Sequence, residues 1–264
     1  MRPLLLVVSL GCAAPAFAQD LRDFCPDRPG LGTPSCTLDA GRVAVEIGAI
    51  DWTLERDPQT RTDTILAGDM LVRFGLADHA EFQIGWTPYG HVRQRDRASG
   101  AVSRSSGAGD VTVALRRNLR NPDGAGFSIA IMPYATLPTG GSTIGAGDWG
   151  AGMIAPVSVA LGGPWSLALS PEIDAAVDGD RNGRHLAYGS VIGLGVDLSA
   201  TTSASLETAF TRDNDPDGHT SQSIAGLSIA WTPQQSAQFD MGANMGLTKA
   251  SPDLKIYFGI ARRF

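Results

Sequence analysis

From about residue 41 onward the chain alternates apolar and polar positions with period two, in runs broken by Gly, Pro, Asn, Asp and Ser. The alternation predicts about twelve strands, approximately 41–55, 63–75, 79–94, 108–118, 126–137, 148–160, 164–177, 185–198, 203–212, 221–232, 237–247 and 254–264. A tilted strand crosses a bilayer in about 9–11 residues, so each run is long enough. The faces sort cleanly. Phe82, Ile84 and Trp86 oppose Glu81, Gln83 and Gly85, and Trp165, Leu167 and Leu169 oppose Ser166, Ser170 and Glu172. The connections alternate too. Those at 76–78, 119–125, 161–163, 200–202 and 233–236 are compact, whereas 56–62, 95–107, 138–147, 178–184, 213–220 and 248–253 are longer or more polar. Short turns at one end, long loops at the other and an even strand number with both termini together are the plan of an outer-membrane barrel. The expected fold is therefore all-β, a transmembrane antiparallel up-and-down β-barrel of about 12 strands. Periodicity alone leaves open whether the apolar face meets lipid or points inward as in a soluble barrel. Trp52, Trp86, Tyr89, Trp149, Trp165, Trp231 and Phe264 fall near strand ends, where interfacial girdles form, and this favours lipid.

The ends of the chain add a location. Arg2, the apolar run Leu4 to Leu10 and Ala16-Phe17-Ala18 read as a secretory leader over residues 1–18, with the mature chain starting near Gln19. A lipoprotein reading would acylate Cys12, but Ser9 stands where leucine is wanted. Cys25 and Cys36 then remain in an oxidising compartment, and a disulfide is expected, worth about 2–3 kcal/mol. A metal site there would lack further cysteine or histidine nearby. Residues 19–39, with Pro26, Pro29 and Pro34 and little periodicity, are expected to form a periplasmic N-terminal extension stapled by that bond, or a plug-like turn, ahead of a barrel over 40–264. At the other end Phe264 completes the row Ile256, Phe258, Ile260, interrupted by Arg262. A terminal aromatic on such a strand resembles the assembly signal of outer-membrane barrels. It implies periplasmic chaperones and the barrel-assembly machinery as partners, outer-membrane lipid as surroundings and the bacterial cell outer membrane as location.

Charge and candidate chemistry narrow the function. The net charge is −6, and losing Arg2 makes the mature chain one unit more acidic, which argues against a nucleic-acid partner. The polar face carries Glu46, Asp69, Arg73, Glu81, Asp110, Arg116, Glu172, Asp174, Asp197, Glu207, Asp240 and Arg263, with Tyr134 among them. These lumen-lining candidates describe either a passage with a charge-lined constriction or a closed interior of paired groups. In the latter, Arg73 and Arg116 would partner Asp69, Asp110 or Glu81. Two loops suggest calcium: Asp178, Asp180 and Asn182 before Gly183, and Asp213, Asp215 and Asp217 before Gly218. Their twelfth positions, Gly189 and Ile224, are not carboxylates, and tight loops favour Asp and Asn regardless. No metal or other cofactor is expected. Catalysis finds little support: His79, His91, His185 and His219 fall at turns or strand ends, and no G-x-S-x-G elbow occurs. The paired acids Glu172 and Asp174 leave a membrane-embedded hydrolase as the least favoured reading. Gly145-Ala146-Gly147-Asp148 precedes a strand, not a helix, and is no phosphate loop.

Three segments carry a family likeness. Gly107-Ala108-Gly109-Asp110-Val111 resembles the G-x-G-D strand opening of the family named for the MetA pathway of phenol degradation. Pro133-Tyr134-Ala135-Thr136-Leu137-Pro138-Thr139-Gly140 resembles its P-x-x-x-L-P-T-G strand end, and Arg73-Phe74-Gly75-Leu76-Ala77-Asp78 its R-[FY]-G-L-x-D periplasmic turn. The likeness runs from about Ala40 to Phe264 and leaves the Cys25–Cys36 extension outside the pattern. It implies a transporter-like outer-membrane barrel, in some members linked to uptake of aromatic compounds. The expected function is a channel for small solutes, hydrophobic or aromatic ones among them. The alternative is a non-conducting barrel whose loops serve surface interaction.

Overall fold

The computed structural model describes residues 21–264; the expected leader lies outside the described residues. Twelve staves form one closed antiparallel sheet. They are β1 (Val43–Arg56), β2 (Thr60–Ala77), β3 (Ala80–Trp86 and Tyr89–Asp96), β4 (Val102–Gly107 and Val111–Arg120), β5 (Phe127–Leu137), β6 (Gly150–Ile154 and Val157–Gly162), β7 (Trp165–Val177), β8 (Arg184–Ser199), β9 (Thr202–Asp213), β10 (Thr220–Gln234), β11 (Ala237–Gly246) and β12 (Leu254–Arg263). Of the three interruptions, those at Pro88 and Pro156 have a direct cause, since proline offers no amide to the ladder. Both halves of each broken stave keep the same neighbours; both parts of β3, for example, pair with β2.

The seam closes where β1 pairs with β2 on one side and β12 on the other, so that Ile47 lies opposite both Met70 and Ile260. The Phe264 amide donates to the Val43 carbonyl at 2.7 Å and completes the seam at the end holding the C-terminus. A closed sheet leaves no row of unpaired amides and carbonyls in hydrocarbon, where no water could satisfy them.

Two predicted connections differ. The expected loop 56–62 shortens to a turn at 57–59, because β1 and β2 pair as far as Arg56 and Arg61. Residues 95–107 were expected to be a loop, but β3 and β4 continue as a ladder through Arg95 and Val102, leaving only a short turn at 97–101. The segment pairs Arg93, Gln94 and Arg95 with Arg104, Ser103 and Val102. It stands in water on both faces, so there is no apolar alternation for a sequence to display.

Side-chain exposure answers the question that periodicity left open. Leu227 is 61% exposed, Leu206 59% and Phe258 43%, all on the outer surface. Arg73, Arg116 and Glu81 are 0% exposed, inside. A soluble barrel would reverse these, so the outer surface matches hydrocarbon rather than water. Trp165, Trp231 and Phe264 mark one rim of that surface and Tyr89 and Trp149 the other. Leu206→Arg, which places a cation on the lipid face, is expected to lower unfolding stability in lipid vesicles by about 2–4 kcal/mol. An unchanged denaturant midpoint would contradict the assigned face.

Candidate functional site

Residues 21–39 lie inside the barrel, in the half nearer the chain termini. The sequence offered a periplasmic extension or a plug-like turn; this segment threads the lumen and bonds to the wall on nearly every side. Its prolines prevent it from joining the sheet as a strand, and the Cys25–Cys36 disulfide closes it into a ring. A ring without secondary structure carries amides and carbonyls that need partners. The wall supplies them through three glutamates. Glu46 accepts the amides of Asp27 and Arg28, both at 3.0 Å. Glu207 accepts those of Leu31 at 2.8 Å and Gly32 at 3.2 Å. Glu81 accepts that of Leu38 at 2.7 Å. Ser170 Oγ accepts the Thr33 amide and donates to the Thr33 carbonyl. Asn118 donates to the Ser35 carbonyl at 2.8 Å, and the Ser35 hydroxyl donates toward Ser128 and Ser158.

Five charges fuse the ring to β1–β4. Arg73 forms a two-point bond with Glu81 and reaches Glu46 at 3.0 Å and the Cys25 carbonyl at 2.7 Å. Arg116 holds Asp27 through two bonds of 2.9 and 2.6 Å and reaches Glu81 at 3.1 Å. Guanidinium forks match carboxylates bidentately, and desolvated charges persist only when so paired. Across the lumen Arg28 pairs with Asp240 at 3.0 Å and lies over Tyr257, while Gln238 donates to the Arg28 carbonyl. Gly259 makes this possible, because a Cβ there would collide with the Arg28 guanidinium.

Of the partners expected for the arginines, Glu81 binds both Arg73 and Arg116, whereas Asp69 and Asp110 bind neither. Asp69 accepts instead from Thr87 Oγ1 at 2.7 Å. Asp110 accepts the amides of Gly140 and Ala146 and ties the 138–149 loop to the outer mouth. Asp197 is exposed, at the end of β8 beside the terminus-bearing mouth. Arg263 is buried and donates to the carbonyls of Arg22 and Gln235. Sequence reasoning missed Asp27, Asn118, Ser128, Ser170 and Gln238. The alternation placed the wall members on the polar face, but nothing linear tells which inward positions the ring will touch.

Beyond the ring, toward the outer mouth, the lumen changes character. A chamber of about 270 Å³ is lined by Leu71, Ala114, Met132 and Ile154, with Gln83, Thr112, Tyr134 and Glu172 as polar members. The Tyr134 hydroxyl lies 2.6 Å from Glu172 and also meets Asp174. One hydroxyl hydrogen cannot be donated fully to two carboxyl groups, so this trio keeps acceptor oxygens free for a donor group. On the terminus side a gap of about 250 Å³ separates the ring from Ser166, Gly195, Ser205 and Ser228, and a vestibule of about 700 Å³ opens beneath it. Outside the membrane, the two calcium-candidate loops lie against each other, with the Gly179 amide donating to Asp215 at 2.7 Å. Asp180 and Asp217 are exposed, and Asn182 offers its amide to Asp180.

Arg116→Ala removes one of the two arginines that neutralise Asp27 and Glu81. It is expected to lower stability by about 3–5 kcal/mol, the usual result of breaking a buried pair from one side, and to expose the Phe24–Leu38 segment to protease. Unfolding and limited proteolysis in detergent measure both, and protection equal to wild type would contradict the anchoring role.

The fold has solved counterparts. The NanC porin overlaps with a TM-score of 0.50 at 6% identity, covering 83% of this chain and 98% of that one. The beta domain of the Bordetella autotransporter BrkA overlaps with a TM-score of 0.52 at 12% identity, covering 86% of this chain and all of that one. At such identities the likeness speaks for the barrel alone. No curated relative matches the sequence significantly. The family model described as the MetA-pathway of phenol degradation matches residues 26–264. It therefore begins inside the ring rather than at Ala40, and the extension taken to stand outside the pattern is within it from Pro26 onward. A closed, inside-out barrel of twelve staves matched by that model over nearly its whole length is an outer-membrane protein belonging to the family of the MetA-pathway of phenol degradation.

Proposed function

We propose that this protein is a conduit for small, largely apolar solutes, aromatic ones among them, with the disulfide-closed ring as its constriction. The observation that carries this reading is the change of lining along the lumen. Most of the interior charges are engaged in holding the ring, and the chamber above it is walled by Leu71, Ala114, Met132 and Ile154. A dry apolar cavity of roughly 150 Å³ suffices to bind benzene in another protein. This chamber is larger, at about 270 Å³. The Tyr134–Glu172–Asp174 trio beside it would accept a hydroxyl hydrogen from a phenolic solute. Glu46, Arg73, Glu81, Arg116, Glu207 and Asp240 are then anchors of the constriction rather than selectivity groups. The family description agrees with the solute class. Phe264, paired at the seam, is read as the signal that delivers the chain to the barrel-assembly machinery.

Calorimetric titration of phenol into the detergent-solubilised protein is expected to give saturable binding. Ala114→Phe fills the chamber from the wall and should weaken that binding at least about tenfold, a loss of about 1.4 kcal/mol. Equal heats in the two proteins would rule the chamber out. In planar bilayers, Cys25→Ser combined with Cys36→Ser is expected to raise conductance above the wild-type level, and wild type treated with reductant should follow it. A conductance indifferent to both would favour the sealed, surface-interaction barrel.

A further inference from the structure

Two loops that look alike in sequence meet at the outer mouth around one imidazole. His185, at the start of β8, has a side chain only 5% exposed. Its Nδ1 lies 2.9 Å from Asp178 Oδ1, the first aspartate of the 178–183 loop. An ionised carboxylate can only accept, so Nδ1 carries a hydrogen, and in the neutral imidazole Nε2 carries the lone pair. That Nε2 is buried, makes no hydrogen bond and faces Asp213 Oδ1 at 2.9 Å. Two acceptors at this separation repel unless a proton or a metal ion lies between them. Asp215 enters from the second loop on the other side of the ring, with Oδ2 3.8 Å from Nδ1. Its own carboxylate accepts the amides of Asp217 and Gly179, which hold its pKa below the usual carboxylate range.

The neighbouring arginines do not neutralise this group. Arg184 turns to Asp148 and lies over Trp149, and Arg212 binds Asn214 and Ser221. Three aspartates are thus left facing one imidazole. His185, Asp213 and Asp215 each bring one ligand atom to within 4.8 Å of the others.

We propose that His185, Asp213 and Asp215 form a binding site for a divalent transition ion of the zinc class, with Asp178 orienting the imidazole. Mixed imidazole and carboxylate ligands suit such ions, whereas calcium prefers an all-oxygen shell. A carboxylate on the remote nitrogen of a ligating histidine is the usual second partner in these sites. Neither loop makes the site alone. The calcium expectation treated each loop as a separate site, and the structure brings both to an imidazole that neither contains. The ion would clip the 178–183 loop to the 213–218 loop at the extracellular rim.

The full-length barrel in detergent, stripped with chelator and dialysed, is titrated with zinc chloride by calorimetry and with cobalt chloride by visible absorption. The expected result is one zinc per chain and a cobalt band in the visible, with His185→Gln abolishing the band and Asp213→Asn weakening zinc at least about tenfold. Asp178→Asn, which removes only the orienting partner, should weaken zinc by roughly 10–100-fold. Heat-modifiable migration establishes that each variant is a folded barrel. The proposal is overturned by folded wild type that takes up no zinc, by uptake unchanged in His185→Gln, or by calcium chloride displacing zinc at comparable concentration. The last result would return the loops to an oxygen-only site. If His185 is instead a protonated bridge between the loops, zinc uptake is absent and only the pH dependence of loop proteolysis responds, which also overturns it.

Discussion

An amide or carbonyl in hydrocarbon has no water to turn to, and nearly everything in this molecule follows from that constraint. It requires a sheet with no free edge, which the pairing of β1 with both β2 and β12 provides. It requires that staves interrupted by Pro88 and Pro156 keep both neighbours on either side of the break. It also sends apolar side chains outward, and thereby forces polar ones into an interior too narrow to hydrate them fully.

That interior poses the same problem a second time. Glu46, Glu81, Arg73 and Arg116 are shielded from solvent, and charges so placed persist only with partners. The ring of residues 25–36 poses the complementary problem, since it has backbone donors and acceptors but no sheet to join. Each satisfies the other. Glutamates of the wall receive amides of the ring, and arginines of the wall receive its carbonyls and Asp27. The acidic bias of the lumen, which resembles a cation filter in the linear sequence, is largely the complement of a plug. The chamber on the outer side of the ring, which the ring does not reach, is walled mainly by apolar side chains.

The outer rim illustrates a different economy of residues. The aspartate-rich loops at 178–183 and 213–218 satisfy their own backbones through short-range bonds, as such loops do. Only the adjacency of β8 and β9 gives them a shared centre at His185.

The sequence by itself determined the strands, their number, their two faces and the side holding the termini, because a period of two and alternating loop lengths are local properties of a membrane barrel. It also determined the disulfide, since two cysteines in an exported chain have few alternatives. It did not reveal the β3–β4 hairpin beyond Gln94, whose faces are both wet and therefore carry no pattern. It offered Glu81 as a partner of Arg73 and Arg116, and both bind it, but it did not name the partner they share in the ring. Their partner Asp27 lies in a segment with no periodicity, and the path of such a segment is fixed only by the wall around it. The tertiary structure alone decided that path, and with it which polar residues anchor the ring, where the apolar chamber lies and which two loops meet. These depend on contacts between residues far apart in the chain, such as Arg28 with Asp240 and Leu31 with Glu207, which no local pattern encodes.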